Sequence, residues 1–282
     1  MKKLTTFALS IFSIVSLQAV SAESAWRKLD ENNAVLMTLP QGKVVIELAP
    51  QFSPNHVKHF KKLLEDKHYH NTSFYRVIDG FVAQAGPENG SFKDKSAPNI
   101  KMESEWDIDK SWNFTKIQSP DLFAEETGFK DGFAIAQNPS EKKAWLVHCP
   151  GTIAMARGNT PNSGSSHFYI PNGQAPRYLD RIMTIFGRVL YGMEHVQSIR
   201  RTSVIEGDSP VPQSEYTKIL SMELMANVAK ENKILLEIED TSSAQFSEKI
   251  DRRKARPSAF FYKKPPPVLD ICQTPVKVRK IN

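Results

Sequence analysis

From Val35 the sequence alternates in a strand-like way, Gln41-Gly42 makes a turn, and Lys43 to Leu48 (KVVIEL) is a second β-rich run. Together they predict a hairpin. Ser53-Pro54 then offers an N-cap with proline at the first helical position, and Val57, Phe60, Leu63 and Leu64 follow at helical spacing. A helix ending near Asp66 is expected. Two short strand-like runs, Phe74 to Ile78 and Phe81 to Gln84, meet at Asp79-Gly80, a dipeptide that favours tight turns, so a second hairpin is predicted.

Residues 87–148 break this rhythm: they are rich in Lys, Asp, Ser and Asn, show no clear period, and yet hold Trp106, Trp112 and Trp145. The tryptophans argue against disorder, so the segment reads as an elaborated insertion. Strand signals return in Thr152 to Ala156, His167 to Ile170, Thr184 to Val189 and Ile219 to Leu224, with a short helix from Met193 to Ile199 after Gly192. The last stretch carries ILLEI at 234–238, a helix from Ser243, the cluster Arg252-Arg253-Lys254-Ala255-Arg256 and three consecutive prolines at 265–267. The cluster reads as a solvated helix end whose cations suit the macrodipole, not as a nucleic-acid surface, and the prolines as a stiff connector.

Composition narrows the class. With 282 residues, 40% hydrophobic and 10% aromatic, the chain can bury a sizeable core. Its two cysteines, Cys149 and Cys272, exclude a disulfide-dense scaffold and a four-cysteine zinc site but leave room for one bridge, which would pin the late segment VLDICQTPV to the strand GTIAMAR. Lys2 and Lys3, the charge-free apolar run Leu4 to Leu17, and Val20-Ser21-Ala22 before Glu23 form a secretory signal pattern, residues 1–22, cleaved after Ala22. The run is too short for a spanning helix, and no later segment is apolar enough, so no stable membrane insertion is expected. Loss of Lys2 and Lys3 lowers the formal charge from +6 to +4. The short lysine-led signal points to the periplasm, where cysteines oxidise.

No Gly-x-Ser-x-Gly elbow is present, and Ser163 to Ser166 before His167 read as a turn entering a strand. Of the seven His, His56 with His59 and His68 with His70 are close in sequence, but neither pair has a third ligand; they read as surface histidines, and neither metal nor cofactor is called for. What remains is Arg76, an arginine inside an apolar strand between Tyr75 and Val77, with Phe74, Phe81 and Gln84 nearby.

Around it the chain becomes recognisable. Ser73 to Gly86 (SFYRVIDGFVAQAG), Gly151 to Ile170 (GTIAMARGNTPNSGSSHFYI) and Leu179 to Ile199 (LDRIMTIFGRVLYGMEHVQSI) together resemble the cyclophilin family of peptidyl-prolyl cis-trans isomerases, in the family's order. The resemblance covers about residues 33–86 and 149–226. It implies a mainly β fold: a closed eight-stranded antiparallel β-barrel capped by two α-helices, occupying 23–226 with the 87–148 insertion, followed by a C-terminal extension, 227–282, packed on the barrel. By motif position Arg76 is the catalytic arginine, with Gln84 and Phe81 beside it. The proline pocket would comprise Phe81, Val82, Tyr169 where Phe is usual, Leu179, and Met183 where many members carry His. Ala156, Arg157 and His167 fall where Ala, Asn and Gln contact the flanking peptide, Arg157 through its main chain and His167 with a pH-dependent charge. Tyr178 replaces the Trp of cyclosporin-sensitive members, which implies weak inhibition.

The implied activity is acceleration of X-Pro isomerisation in unfolded or flexible exported polypeptides, without cofactor or metal. The departures at Arg157, His167, Tyr178 and Met183 support an alternative, a catalytically weak peptide-binding module or holdase.

Overall fold

The computed structural model describes residues 25–87, 97–203 and 211–281. The expected signal segment 1–22 and part of the insertion, 88–96, lie outside the described residues. In chain order the elements are β1 (Trp26–Lys28), β2 (Ala34–Leu39), β3 (Gly42–Leu48), α1 (Pro54–Glu65), β4 (Ser73–Val77) and β5 (Val82–Gly86). The insertion holds β6 (Trp106–Asp107), β7 (Thr115–Gln118), β8 (Glu126–Lys130), β9 (Phe133–Asn138) and β10 (Lys143–Leu146). There follow β11 (Thr152–Met155), β12 (Phe168–Pro171), β13 (Ile185–Tyr191), α2 (Met193–Gln197), β14 (Thr217–Lys218) and β15 (Ser221–Leu224), then β16 (Leu236–Glu239), α3 (Ala244–Ala255) and β17 (Val278–Lys280). Among the described residues no helix is long and apolar enough to cross a membrane.

The main sheet is antiparallel, in the order β14-β4-β5-β12-β11-β13-β3-β2-β15. Its strands number nine and run from one edge to another, in place of the expected closed ring of eight. The extra strand arises because residues 217–224 divide: Thr217 and Lys218 pair with β4, whereas Ser221 to Leu224 pair with β2. The concave face is the core. Alternation sends Val77, Ala83, Ala85, Phe168 and Ile170 inward, where α1 fills the space with Val57, Phe60, Leu63 and Leu64. Phe60 stacks near Phe186, Tyr69 and Phe168 at centroid distances of 4.8, 5.2 and 6.1 Å. Gly192, with φ +84°, leads into α2; a Cβ there would lie 2.3 Å from the Lys43 carbonyl oxygen, so only glycine fits.

The start of α1 differs from its expected cap. Ser53 Oγ donates to Ile185 O at 2.5 Å, and the helix's free amides go to the insertion: Glu103 accepts from Asn55 N at 3.2 Å and His56 N at 2.9 Å. A carboxylate at this end suits both the orphan amides and the dipole. The histidines of α1 are correspondingly not surface groups. His56 is buried with Nδ1 2.7 Å from Glu103 Oε2, and His59 Nε2 lies 2.6 Å from Ser165 O. Burial lowers the pKa of His56, with Glu103 acting in the opposite direction.

The insertion forms its own antiparallel sheet, β6-β10-β9-β8-β7. Phe133, Ile135, Ala144 and Leu146 face the outer side of the main sheet, while Ala134, Ala136, Trp145 and Val147 face the extension, meeting Phe246 and Ile250 of α3. The extension's other strands join β1 in a third sheet, β1-β16-β17, whose Leu236 packs with Leu36 and Val45. The basic cluster ends α3, where Arg253 donates to Gln273 O and Arg256 to Pro266 O. Cys149 and Cys272 are joined by a disulfide.

Candidate active site

Arg76, Gln84, Tyr169 and Ala154 form one cross-strand row. Arg76 pairs with Gln84, Gln84 with Tyr169, and Tyr169 with Ala154. Because side chains alternate across a strand, this register puts the four on the outer face of the sheet, opposite the core set. A bulge at Tyr75 sets the register, for Phe74 opposes Ala85 and Arg76 already opposes Gln84.

Arg76 is half-buried, and its Nη1 donates to Gln84 Oε1 at 3.3 Å. Its Cζ stands 6.0 Å from the centroid of Phe81. Gln84 Nε2 donates to the Tyr75 hydroxyl at 2.6 Å, and that hydroxyl lies 3.0 Å from His167 Nδ1. Burial pushes the Tyr75 phenol's pKa well up, so it acts as a neutral hydroxyl.

Phe81 follows the tight turn at Gly80, where φ is +69°, and a Cβ on Gly173 would come within 2.5 Å of Gly80 Cα. Two glycines thus let the turn after β4 lie directly against the segment after β12. Gln174 N donates to Gly80 O at 3.1 Å and Asn172 N to Phe81 O at 3.0 Å, which brings Tyr178 beside Phe81, ring centroids 6.5 Å apart and 20° from parallel. Phe81, Val82, Ala156, Tyr169, Leu179 and Met183 gather in one apolar cluster. Tyr178 remains 65% exposed.

The Arg157 guanidinium clasps the loop carrying Leu179 and Met183: Nε and Nη2 donate to Ile182 O at 3.1 and 2.9 Å, and Nη1 to Gly158 O. One expectation is corrected. His167 is only 1% exposed and serves the Tyr75 contact from inside the protein, not a solvent-facing charge.

Four residues of the site, His148, Asp180, Arg177 and Asp121, escaped sequence reasoning. The Tyr169 hydroxyl lies 2.9 Å from His148 Nε2, and His148 Nδ1 lies 3.0 Å from Asp180 Oδ1. Asp180 Oδ2 accepts from Arg177 Nε at 2.7 Å, and Arg177 Nη2 donates to Asp121 at 2.9 Å. Burial raises the Tyr169 pKa and Asp180 adds to the rise, so the phenol remains neutral. Burial alone would lower the Arg177 pKa; Asp180 and Asp121 outweigh it and the net shift is upward. Next to this chain, Arg181 pairs with Glu105 at 2.7 Å and Glu141 at 2.9 Å, above Trp145. The insertion therefore holds the segment 177–183 from behind. The only hint in sequence was a tyrosine at 169, whose hydroxyl needs a buried partner.

Residues 34–224 match the family model for cyclophilin type peptidyl-prolyl cis-trans isomerase/CLD. A probable peptidyl-prolyl cis-trans isomerase of Brucella suis is 30% identical over 207 residues, 72% of this chain and 87% of that one. The peptidyl-prolyl cis-trans isomerase of Acinetobacter baylyi is 27% identical over 207 residues, 71% of this chain and 89% of its own. Among solved structures, cyclophilin AquaCyp293 from Hirschia baltica superposes with a TM-score of 0.72 at 28% identity, covering 90% of this chain and 93% of the other.

Proposed function

Since the chain belongs to the cyclophilin-type peptidyl-prolyl cis-trans isomerases, we propose that Arg76 is its electrophilic centre and that its substrates are X-Pro bonds in flexible or unfolded exported polypeptides. Rotation about a peptide bond is opposed by resonance, a barrier of ~18–20 kcal/mol, and no covalent bond need break. A guanidinium hydrogen bond to the prolyl nitrogen holds its lone pair out of conjugation. It therefore stabilises the twisted form more than either planar isomer. Arginine suits this because it stays charged and presents a fixed plane of donors. Gln84 fixes that plane, and Phe81, Val82, Tyr169, Leu179 and Met183 take the proline ring, with Ala156 and the main chain of Arg157 along the flanking peptide.

The observation that carries this reading is the cross-strand pair Arg76–Gln84 at a half-exposed edge of the apolar cluster. The test is the cis-trans exchange rate of an Ala-Pro tetrapeptide measured by NMR. Wild type accelerates exchange and Arg76→Ala loses about a hundredfold; no acceleration by wild type on several X-Pro peptides sinks the proposal and leaves a holdase.

Periplasmic residence is part of the proposal. Its support is the pattern of residues 1–22 together with the Cys149–Cys272 bond, which belongs in an oxidising compartment. Mature protein beginning at Glu23 in a periplasmic fraction is the check; an uncleaved cytosolic chain overturns it. We also infer that residues 217–224 act as one strand closing the barrel. In support, Ile219 N donates to Thr72 O on the β4 side and Leu220 N to Thr38 O on the β2 side. Hydrogen exchange at these two amides as slow as in β12 is expected; fast exchange means an open seam.

A further inference from the structure

The end of α3 and the loop after it concentrate positive charge. Residues 252–269 hold six cations, Arg252, Arg253, Lys254, Arg256, Lys263 and Lys264, and no Asp or Glu. Taking these six from the chain's 37 Lys and Arg leaves as many as there are Asp and Glu, 31, so the formal net charge of +6 resides in this one stretch. A helix C-terminus offsets only about half a charge. Arg253 and Arg256 donate to the carbonyl oxygens of Gln273, Pro266 and Val268, contacts that leave their charge in place.

The same loop holds two rings in the open: Phe260 is 83% exposed and Tyr262 87%. Its base is fixed. Arg256 donates to Pro266 O at 2.7 Å and Val268 O at 3.1 Å, Leu269 is buried in one cluster with Phe246 and Ile250 of α3, and Cys272 is held by the disulfide. The tip is a turn in which Phe261 N donates to Ser258 O at 3.1 Å. Phe261 folds back, its ring centroid 6.0 Å from Arg256 Cζ, while residues 257–260 and 262–268 are exposed.

Aromatic side chains left in water on a preformed turn can be covered by a partner at little cost in order. The chemistry of the partner is set by the cations around them. Rings of this kind settle at the headgroup level of a bilayer, and Lys and Arg beside them meet the lipid phosphates. A nucleic-acid strand would want the rings set in a charged groove along which successive bases stack. Here they stand on the turn of a projecting loop.

We propose that the loop 256–264 docks the protein on the surface of an anionic phospholipid bilayer, with Phe260 and Tyr262 entering the headgroup region and Lys263, Lys264 and the end of α3 facing the phosphates. The chain adsorbs and does not span. Neither Arg76 nor its row takes part, so this proposal and the isomerase reading stand or fall separately.

Vesicle co-sedimentation in about 0.1 M NaCl tests it, with residues 23–282, which keep every described residue and exclude the apolar run Leu4 to Leu17. The vesicles are phosphatidylcholine alone or with about 30% phosphatidylglycerol. Wild type is expected to partition about a hundredfold or more strongly onto the anionic vesicles, an excess that shrinks as NaCl rises to about 0.5 M. Lys263→Gln with Lys264→Gln weakens the anionic binding about twentyfold, each cation contributing roughly fivefold. Phe260→Ser with Tyr262→Ser weakens it about tenfold. An unchanged urea midpoint shows that both double variants are folded. Partition that is absent from, or equal on, the two kinds of vesicle overturns the proposal, as does anionic binding that either pair of substitutions leaves within about twofold of wild type. A single-stranded oligonucleotide that binds more tightly than the anionic vesicles and is lost in both double variants makes the partner a nucleic acid and overturns it as well.

Discussion

Gln84 carries an amide that could be placed either way round, and its neighbours decide which. The Tyr75 hydroxyl takes the Nε2 donor at 2.6 Å, which leaves Oε1 turned toward Arg76. With Gln84 donating to it, the hydroxyl can donate its own hydrogen to His167 Nδ1, so the tautomer of one buried ring is linked to the orientation of the Arg76 guanidinium. Tyr75→Phe removes the acceptor and leaves a buried amide donor unpaired, at about 1–3 kcal/mol. The amide is then free to rotate, and kcat on the tetrapeptide is expected to fall severalfold with little change in KM. A fall in Tm with kcat intact makes Tyr75 structural only. Arg76 and Gln84 were legible in sequence because they sit inside a long motif. Tyr75 was visible as a neighbour but its role was not, since a bulge decides where a strand side chain points and bulges leave no sequence period.

At the scale of elements, the hairpins, α1 and the start of α3 followed from turn dipeptides, the proline that opens α1, the Ser243 cap and 3.6-residue spacing; Ser243 Oγ accepts from Phe246 N as its position at the helix start requires. The insertion sheet did not. Its strands β9 and β10 are covered on both faces, one by the main sheet and one by the extension, so the apolar and polar positions do not alternate and the pattern vanishes. Nor could sequence show that its service is to the loop 177–183. Asp180 binds His148, Trp145 and Arg177 with a side chain only 6% exposed. Asp180→Asn strips the charge from a buried cluster and is expected to cost roughly 3–5 kcal/mol of unfolding free energy in urea titration. Below the transition, loosening of Leu179 and Met183 raises KM severalfold while kcat holds, because Arg76 is anchored elsewhere. A drop in kcat alone, at unchanged KM, contradicts this division of labour.

As a whole molecule the chain is layered: main sheet, insertion sheet, then α3 with the tail, and the first strand paired into the last segment. The resemblance in sequence stopped at the common core, and the outer layers were beyond it because they are held by contacts between residues far apart in the chain. The disulfide crosses all of this. Its consequence is felt most in the denatured ensemble, where residues 123 apart in sequence remain joined and the chain has far fewer conformations to gain by unfolding. Loop-closure entropy puts that at roughly 5 kcal/mol. The double variant Cys149→Ser with Cys272→Ser should unfold at a lower urea midpoint by about that free energy, yet isomerise a tetrapeptide normally under native conditions; an unchanged midpoint refutes it. A covalent loop that restrains the random coil, while leaving the reactive edge alone, makes durability and turnover separately adjustable in this protein.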